Sequence, residues 1–424
     1  MRGAPAGLAL GLAVACFAPR WARAAEPGGA QDPAARRDAK QPAGKADDSE
    51  FTIVPVVGGD SDVGFGGGYT ASFARTRPGV KPYLWRIESS GALTFRSNGD
   101  KVTVGYLEEN LLFVAPHAWF DALRFEATAS YTIEPTLQYY GLGNASAVSP
   151  GHPPSDPYFQ YELRHSNAAV TLTYRWKKHV LFTWGVGETH NTLSYADDSR
   201  LAADLTTGPA GARELLNVAP RFDVVRFSYG IGWDSRDNEV STHRGQYHTL
   251  RADLAPGGIE GIPYTWARFD LALRGYVTLI PRRLIFAARG VLDWLAGDPP
   301  FYELARFDDT PAVGGGKGVR GVPAGRYYGM VKTFANLELR TELFKFRFLS
   351  KQNVFGVTGF VDGGRVWSAV PASPELDGTS LGVKLGVGGG LRLAAGDSFV
   401  LRADMAWSRD AHPVGAYLLA GQLF

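Results

Sequence analysis

Between Gly316 and Gly321 the chain reads GKGVRG, a match to G-x-G-x-x-G, the spacing whose backbone N–H groups can cradle a pyrophosphate. That chemistry needs a strand running into the glycines and a helix opening at their end, because the helix N-terminus supplies the free donors. The residues that follow, VPAGRYYG, put Pro323 and Gly325 where the helix would start, and no amphipathic period appears before alternation resumes near Val331. A Walker loop is excluded too: Pro311 takes the place of its first glycine, and Lys317 is followed by Gly318 where Ser or Thr is needed. An arginine among glycines, Arg320, therefore needs another role.

Other chemistry-bearing residues are scattered. The chain has eight histidines, among them His117, His165, His190, His243 and His248, without metal-ligand spacing. THRGQYH sets His243 and His248 five apart, on opposite faces if both lie in one strand. No G-x-S-x-G occurs and no serine can be tied to a His/Asp pair, so no catalytic residue, metal site or cofactor is expected and the chain is not read as an enzyme. A net charge of +2 without a concentrated basic face excludes a nucleic-acid partner.

The elements that must position Arg320 follow from length and pattern. A chain of 424 residues with 52 glycines, 12% aromatic and 20% charged residues suits many strands and tight turns, hence one large all-β domain. Residues 1–24 read as a secretory signal: Arg2, an apolar run from about Leu8 to Ala18, and a small-x-small site at Ala22–Ala24. A lipoprotein signal at Cys16 would want a larger aliphatic residue than Ala13. Cleavage after Ala24 leaves no cysteine and hence no disulfide. Residues 25–50, polar and rich in Pro, Gly and Ala, are expected as a disordered periplasmic leader.

From residue 51 the chain alternates with period 2. In DVVRFSYGIGWD, Val225, Phe227, Tyr229, Ile231 and Trp233 oppose Arg226, Ser228, Gly230, Gly232 and Asp234; NLELRTEL and SFVLRADMAW repeat the pattern, the latter with Arg402 and Asp404 on the polar side. An apolar, partly aromatic face against a face charged with both signs is the lipid-out, lumen-in signature of an outer-membrane barrel. The runs fall at roughly 51–58, 63–75, 82–95, 101–113, 119–133, 158–176, 178–191, 221–235, 245–256, 264–280, 282–295, 331–346, 353–367, 381–393, 398–408 and 414–424, an even sixteen. Long connections follow runs 5, 7, 11 and 13 and short ones follow 6, 10 and 14, which puts both termini in the periplasm. A propeller would repeat every 40–50 residues, and no such repeat occurs.

Several ordered motifs then resemble one family. PFYELARFDDTPAVGGGKGVRGVPAGRYYG (Pro300–Gly329) resembles the sixth extracellular loop of Omp85-type barrels, also called the bacterial surface antigen D15 family; DSRDN from Asp234, YYGLGN from Tyr139, NLELR from Asn336, FVDGGRVW from Phe360 and the terminal GQLF agree. The resemblance covers Phe51–Phe424 and implies a 16-stranded antiparallel transmembrane barrel over 51–424 with loop 6 folded inward. It implies that the tip Val319-Arg320-Gly321 enters the lumen, where Arg320 meets Asp362 and lies near Glu338. Parity agrees independently, since both acids fall on the polar face and a guanidinium suits bridging carboxylates. Val322 stands where the family has an aromatic. The POTRA domains of the larger members have no counterpart in the leader, which makes a minimal, barrel-only member the expectation.

The implied function is insertion or translocation of protein or lipid at the outer membrane of a Gram-negative bacterium, with loop 6 as plug; the alternative is a passive porin-like channel for small solutes or ions. Implied partners are outer-membrane lipid and a client polypeptide or periplasmic helper, with the barrel a monomer. Arg320 with Asp362 and Glu338 is either a structural pin or a plug that shapes the channel. Arg226, Arg268, Arg274, Arg289 and Arg402 on the lumen parity are either a charge ladder or a selectivity device. Pro55 cannot donate a ladder hydrogen bond, which marks the seam between runs 1 and 16, ending at Phe424, as a lateral opening, or else marks a periplasmic strand start.

Overall fold

The computed structural model describes residues 48–77, 80, 82–98, 101–147, 151–153, 156–281, 283–306, 313–348, 351–395, 399–409 and 414–424. The signal at 1–24 and the leader up to residue 47 lie outside the described residues.

Sixteen strands occur among the described residues: β1 (Asp48–Asp60), β2 (Gly64–Thr76), β3 (Trp85–Asn98), β4 (Lys101–Ala115), β5 (Leu123–Gln138), β6 (Gln160–Trp176), β7 (Val180–Tyr195), β8 (Arg221–Asp234), β9 (Gly245–Ala255), β10 (Trp266–Ile280), β11 (Leu284–Gly297), β12 (Val331–Phe348), β13 (Lys351–Trp367), β14 (Lys384–Ala395), β15 (Phe399–Ser408) and β16 (Gly415–Ala420). Each pairs antiparallel with its sequence neighbours and β1 with β16, closing the barrel. Every expected run is one of these strands. β1 begins at Asp48, inside the expected leader, and the last strand ends at Ala420, short of the expected Phe424.

Closure gives the sheet two inequivalent faces, and period-2 side chains sort between them. The outer face exposes Phe227, Ile231, Trp233, Leu273, Trp294, Leu339, Val387 and Trp407, while the inner face buries Arg268, Lys332, Glu338, Asp362, Arg402 and Asp404. This inversion of a water-soluble protein is the arrangement lipid demands. Near one rim the outward rings touch in series: Phe73–Trp85 at 5.7 Å, Trp85–Phe113 at 6.3 Å and Phe113–Phe125 at 6.0 Å, with Phe182–Trp184 at 6.2 Å further round. They form an aromatic girdle.

At the opposite rim the connections after β5, β7, β11 and β13 are long, and the turns after β1 and β3 on that same side are short. The long connections carry α1 (Arg200–Thr206), α2 (Ala210–Leu215) and α3 (Pro374–Asp377). Ser199 caps α1 by accepting from the Ala202 N–H at 3.2 Å. Their apolar side chains meet in one core over the mouth, with Tyr139, Leu142, Leu201, Leu216, Phe301, Leu304, Tyr328 and Leu376 all buried. Tyr139 lies 5.1 Å from Tyr328 and 6.0 Å from Phe301, edge to face. Burying each large side chain is worth about 1.5–3 kcal/mol, so this cap is a packed structure in its own right.

Candidate functional site

Loop 6, between β11 and β12, is pinned inside the barrel by its backbone. Arg402 donates to the Gly316 carbonyl at 2.7 Å, Arg289 to that of Lys317, Asn336 to that of Gly318 at 2.8 Å, and the Gly321 N–H donates to the Tyr417 hydroxyl at 2.9 Å. Four loop residues thus touch β11, β12, β15 and β16. The wall makes room at Gly386, where a Cβ would lie 1.9 Å from the Arg320 carbonyl oxygen; any side chain there would push the tip off the wall.

The Arg320 side chain is fully buried. It grips Asp362 with a two-pronged pair, Nε to Oδ2 at 2.7 Å and Nη2 to Oδ1 at 3.0 Å, while its own N–H donates to Oδ2 at 3.1 Å. Nη1 reaches Glu338 at 2.7 Å and Asp404 at 3.1 Å. The guanidinium plane stacks on Phe360, its carbon 3.3 Å from the ring centroid. Arg340 pairs with Glu338 at 2.8 Å, and Arg392 and Arg402 pair with Asp404 at 2.5 and 3.0 Å. Burial disfavours the charge on Arg320, but Glu338, Asp362 and Asp404 outweigh it and hold its pKa above the ordinary value, so it stays cationic at every accessible pH.

The structure brings Arg320, Asp362 and Glu338 together and adds two residues. Asp404 was visible as a polar-parity acid in SFVLRADMAW, but nothing in the sequence ties it to a loop some 80 positions earlier. Tyr417 left no signal beyond its strand. Val319 and Val322 sit in an apolar cluster with Val313, Tyr327, Phe334 and Val366, and the ring that stacks on the Arg320 guanidinium is Phe360 of the wall. The lumen arginines mostly have partners: Arg268 with Asp293 at 3.0 Å and Glu303 at 2.7 Å, Arg289 with Asn336 at 3.0 Å, and Arg274 over the Tyr247 ring. Because Glu303 belongs to loop 6, its contact with Arg268, with Arg306 to Glu134 at 2.5 Å, gives the loop stem a second ionic anchor.

Seam geometry is uneven. β1 pairs with β2 over thirteen residues, but with β16 only at Gly59↔Leu418 and Asp60↔Tyr417, extended by the Ser61 N–H to the Ala416 carbonyl at 3.0 Å. Pro55 lies mid-strand, opposite Tyr69, in the stretch of β1 that β16 does not reach. Phe424 is not at the seam, which corrects the sequence expectation. After Ala420 the chain turns at Gly421 (φ +85°) into the lumen, where the Phe424 ring lies 5.1 Å from the guanidiniums of both Arg289 and Arg340 and 6.0 Å from Tyr276. There the ring packs against two cations and a tyrosine of the inner wall. His243 and His248 do not share a strand, since β9 starts at Gly245; His243 pairs with Glu342 at 2.8 Å.

The turn beside the seam contains an ionisable group. Asp60 accepts from the N–H groups of Asp62 and Val63 at 2.8 and 2.9 Å. Burial and the neighbouring Asp60 push the Asp62 carboxyl from 3.8 up to about 8, against weaker opposing contributions from the Ala324 N–H and Arg96. The folded turn thus holds a proton that the unfolded chain has lost, so its stability is full below about 3.8 and declines as pH rises through about 8. Hydrogen exchange at Ser61, corrected for its intrinsic rate, should accelerate from about pH 4 to about pH 8 in the native protein, level off above that, and show no such rise in Asp62→Asn.

The Omp85 superfamily domain model matches residues 98–415. A comparison with curated protein sequences gives no match. The fold is similar to the crystal structure of BamA from Haemophilus ducreyi lacking POTRA domains 1-3, with TM-score 0.57 and 16% identity over 88% of this chain and 70% of that one. It is also similar to CdiB from Escherichia coli, with TM-score 0.51 and 12% identity over 87% of this chain and 62% of that one, so the chain spans less than two thirds of the latter's length.

Proposed function

The chain belongs to the Omp85 superfamily, and from that premise we propose that it inserts or translocates polypeptide or lipid at the outer membrane of a Gram-negative bacterium, with loop 6 as its plug. The observation that carries this reading is a strand edge that has no partner among the described residues, beside a plug tied to the opposite side of the seam. Residues 48–58 of β1 find no partner on β16, leaving backbone N–H and C=O groups to face a membrane that cannot satisfy them. An incoming strand of a client would satisfy them by adding to the edge.

Tyr417 supplies the coupling. It lies on β16, opposite Asp60 of β1, and its hydroxyl accepts from Gly321 of the plug. Moving β16 away from β1 therefore pulls on the tip of loop 6, so lateral opening and plug release are one event. In this reading both termini face the periplasm, where a helper protein would deliver the client, and the capped mouth faces outward. The packed cap and the buried plug both weigh against a passive channel, and the barrel needs no catalytic residue for this task.

A photo-crosslinking amino acid at Ile53 or Val57 tests the proposal in cells. Capture of an outer-membrane client polypeptide there, and not at Leu273 on the far wall, is the expected result. Equal or absent capture at both positions would remove the support for a client-accepting edge.

A further inference from the structure

The outer face is not apolar everywhere. On β2 to β8 a single pairing row runs Tyr69, Gly91, Glu109, Tyr131, Ser166, His190, Asp223, each residue opposite the next, and all on the outward parity shared with Phe73, Leu111, Val170 and Val186. Glu188 lies outward in the row beneath, opposite Ala168 and Val225. Between them the small side chains of Ala129, Ser166 and Ala168 leave a recess of about 600 Å³, open sideways.

Part of this row is internally satisfied. Tyr69 donates to Glu109 at 2.9 Å and lies 3.2 Å from Ser89; Gly91 makes the contact possible, because a Cβ there would be 2.6 Å from the Tyr69 ring and 2.5 Å from Glu109. His190 holds Asp223 at 2.5 Å. Glu188 is different: it is exposed, and among the described residues it has no hydrogen bond or ion pair. Below it Val170, Val186 and Phe227 are lipid-facing, whereas above it Arg164, itself paired with Glu162, and Thr192 carry the outward face to the rim. The recess therefore sits where hydrocarbon gives way to headgroups, and an unpaired carboxylate at that level is costly unless a donor covers it.

We propose that this recess binds the ammonium headgroup of a membrane lipid, with Glu188 as the counter-ion, Glu109 and Tyr131 at its rim, and the acyl chains lying along Val170, Val186 and Phe227. Charge complementarity selects the occupant, because the recess offers acceptors and acids, its one imidazole is already engaged by Asp223, and three N–H donors on one small cation match that set. The inference rests on the barrel facing lipid and not on any client or on movement of the plug.

Native mass spectrometry of the purified full-length protein, released from vesicles of phosphatidylethanolamine, phosphatidylcholine or phosphatidylglycerol, reads the occupancy. A charge-assisted hydrogen bond is worth about tenfold in affinity, so phosphatidylethanolamine should be retained about tenfold over phosphatidylcholine, whose methyl groups replace the donors. Glu188→Gln should erase that preference, Glu188→Asp should keep part of it, and Ser166→Trp should expel the lipid by filling the recess. Heat-modifiable migration of each variant certifies that the barrel is folded, and client capture at Ile53 separates failure here from failure of the proposed function. Equal retention of the three lipids, a preference untouched by Glu188→Gln, or a crosslinker at position 188 that traps a protein with no lipid retained would each overturn the proposal.

Discussion

Arg320→Ala is expected to open the barrel: single-channel conductance in planar bilayers rises and becomes noisy, and residues 313–330 become cleavable by protease. The reason lies in how the cluster is shared. Glu338 keeps Arg340, and Asp404 keeps Arg392 and Arg402, but every ion pair of Asp362 among the described residues is with Arg320. Truncation leaves that carboxylate buried and bare, which costs about 3–5 kcal/mol. A local element relieves such a cost by leaving, and loop 6 is the element whose departure admits water to Asp362. Arg320→Lys should fall between, since an ammonium cannot make the two-pronged contact and still reach Glu338 and Asp404. Arg320→Ala combined with Asp362→Ala should recover part of the lost stability, because the bare charge is then gone. Unchanged conductance and protease resistance in Arg320→Ala would sink the plug and leave a structural pin.

Tying the seam should abolish function. Ser61 and Ala416 flank the Asp60↔Tyr417 pair, and the Ser61 N–H already donates to the Ala416 carbonyl. Opposed residues of an antiparallel pair lie within the Cα separation a disulfide tolerates. With Cys16 the chain's one native cysteine, confined to the expected signal, Ser61→Cys with Ala416→Cys can be oxidised without competing pairs. Insertion of a client into proteoliposomes should fall to background when the pair is oxidised and return with reductant. The same bond between Ala403→Cys and Leu418→Cys, which joins β15 to β16 within the wall, should change little. Full activity with the seam oxidised would show that lateral opening is not the route.

How legible these features were differs from residue to residue. Glu338 and Asp362 could be placed on the inner face because parity in a strand is absolute: once Leu339 faces lipid, Glu338 faces the lumen. The same rule located Arg402 and Asp404. It could not say which inner-face charges meet, because that depends on strand stagger and on where a long loop descends. Asp404 and Tyr417 became neighbours of loop 6 only through closure. Phe424 shows the opposite failure. Alternation continues to the chain end, yet the last residues leave the ladder and the ring packs on two guanidiniums inside the wall, a contact that period-2 alternation does not encode. The outward polar row is not legible in the sequence for a further reason, since each strand contributes only one or two of its residues and only pairing aligns them.

The sequence by itself determined the fold class, the strand count and the sorting of side chains between lipid and lumen, because each is a local property of period-2 alternation under a membrane's demand that every backbone group be satisfied. It also carried the family, through motifs that survive in order along the chain. The tertiary structure alone decided which carboxylates share Arg320, how little of β1 is held by β16, and that Glu188 and Glu109 face the same recess. Those are distances between residues remote in the chain, set by barrel closure and strand stagger, and no periodicity encodes them.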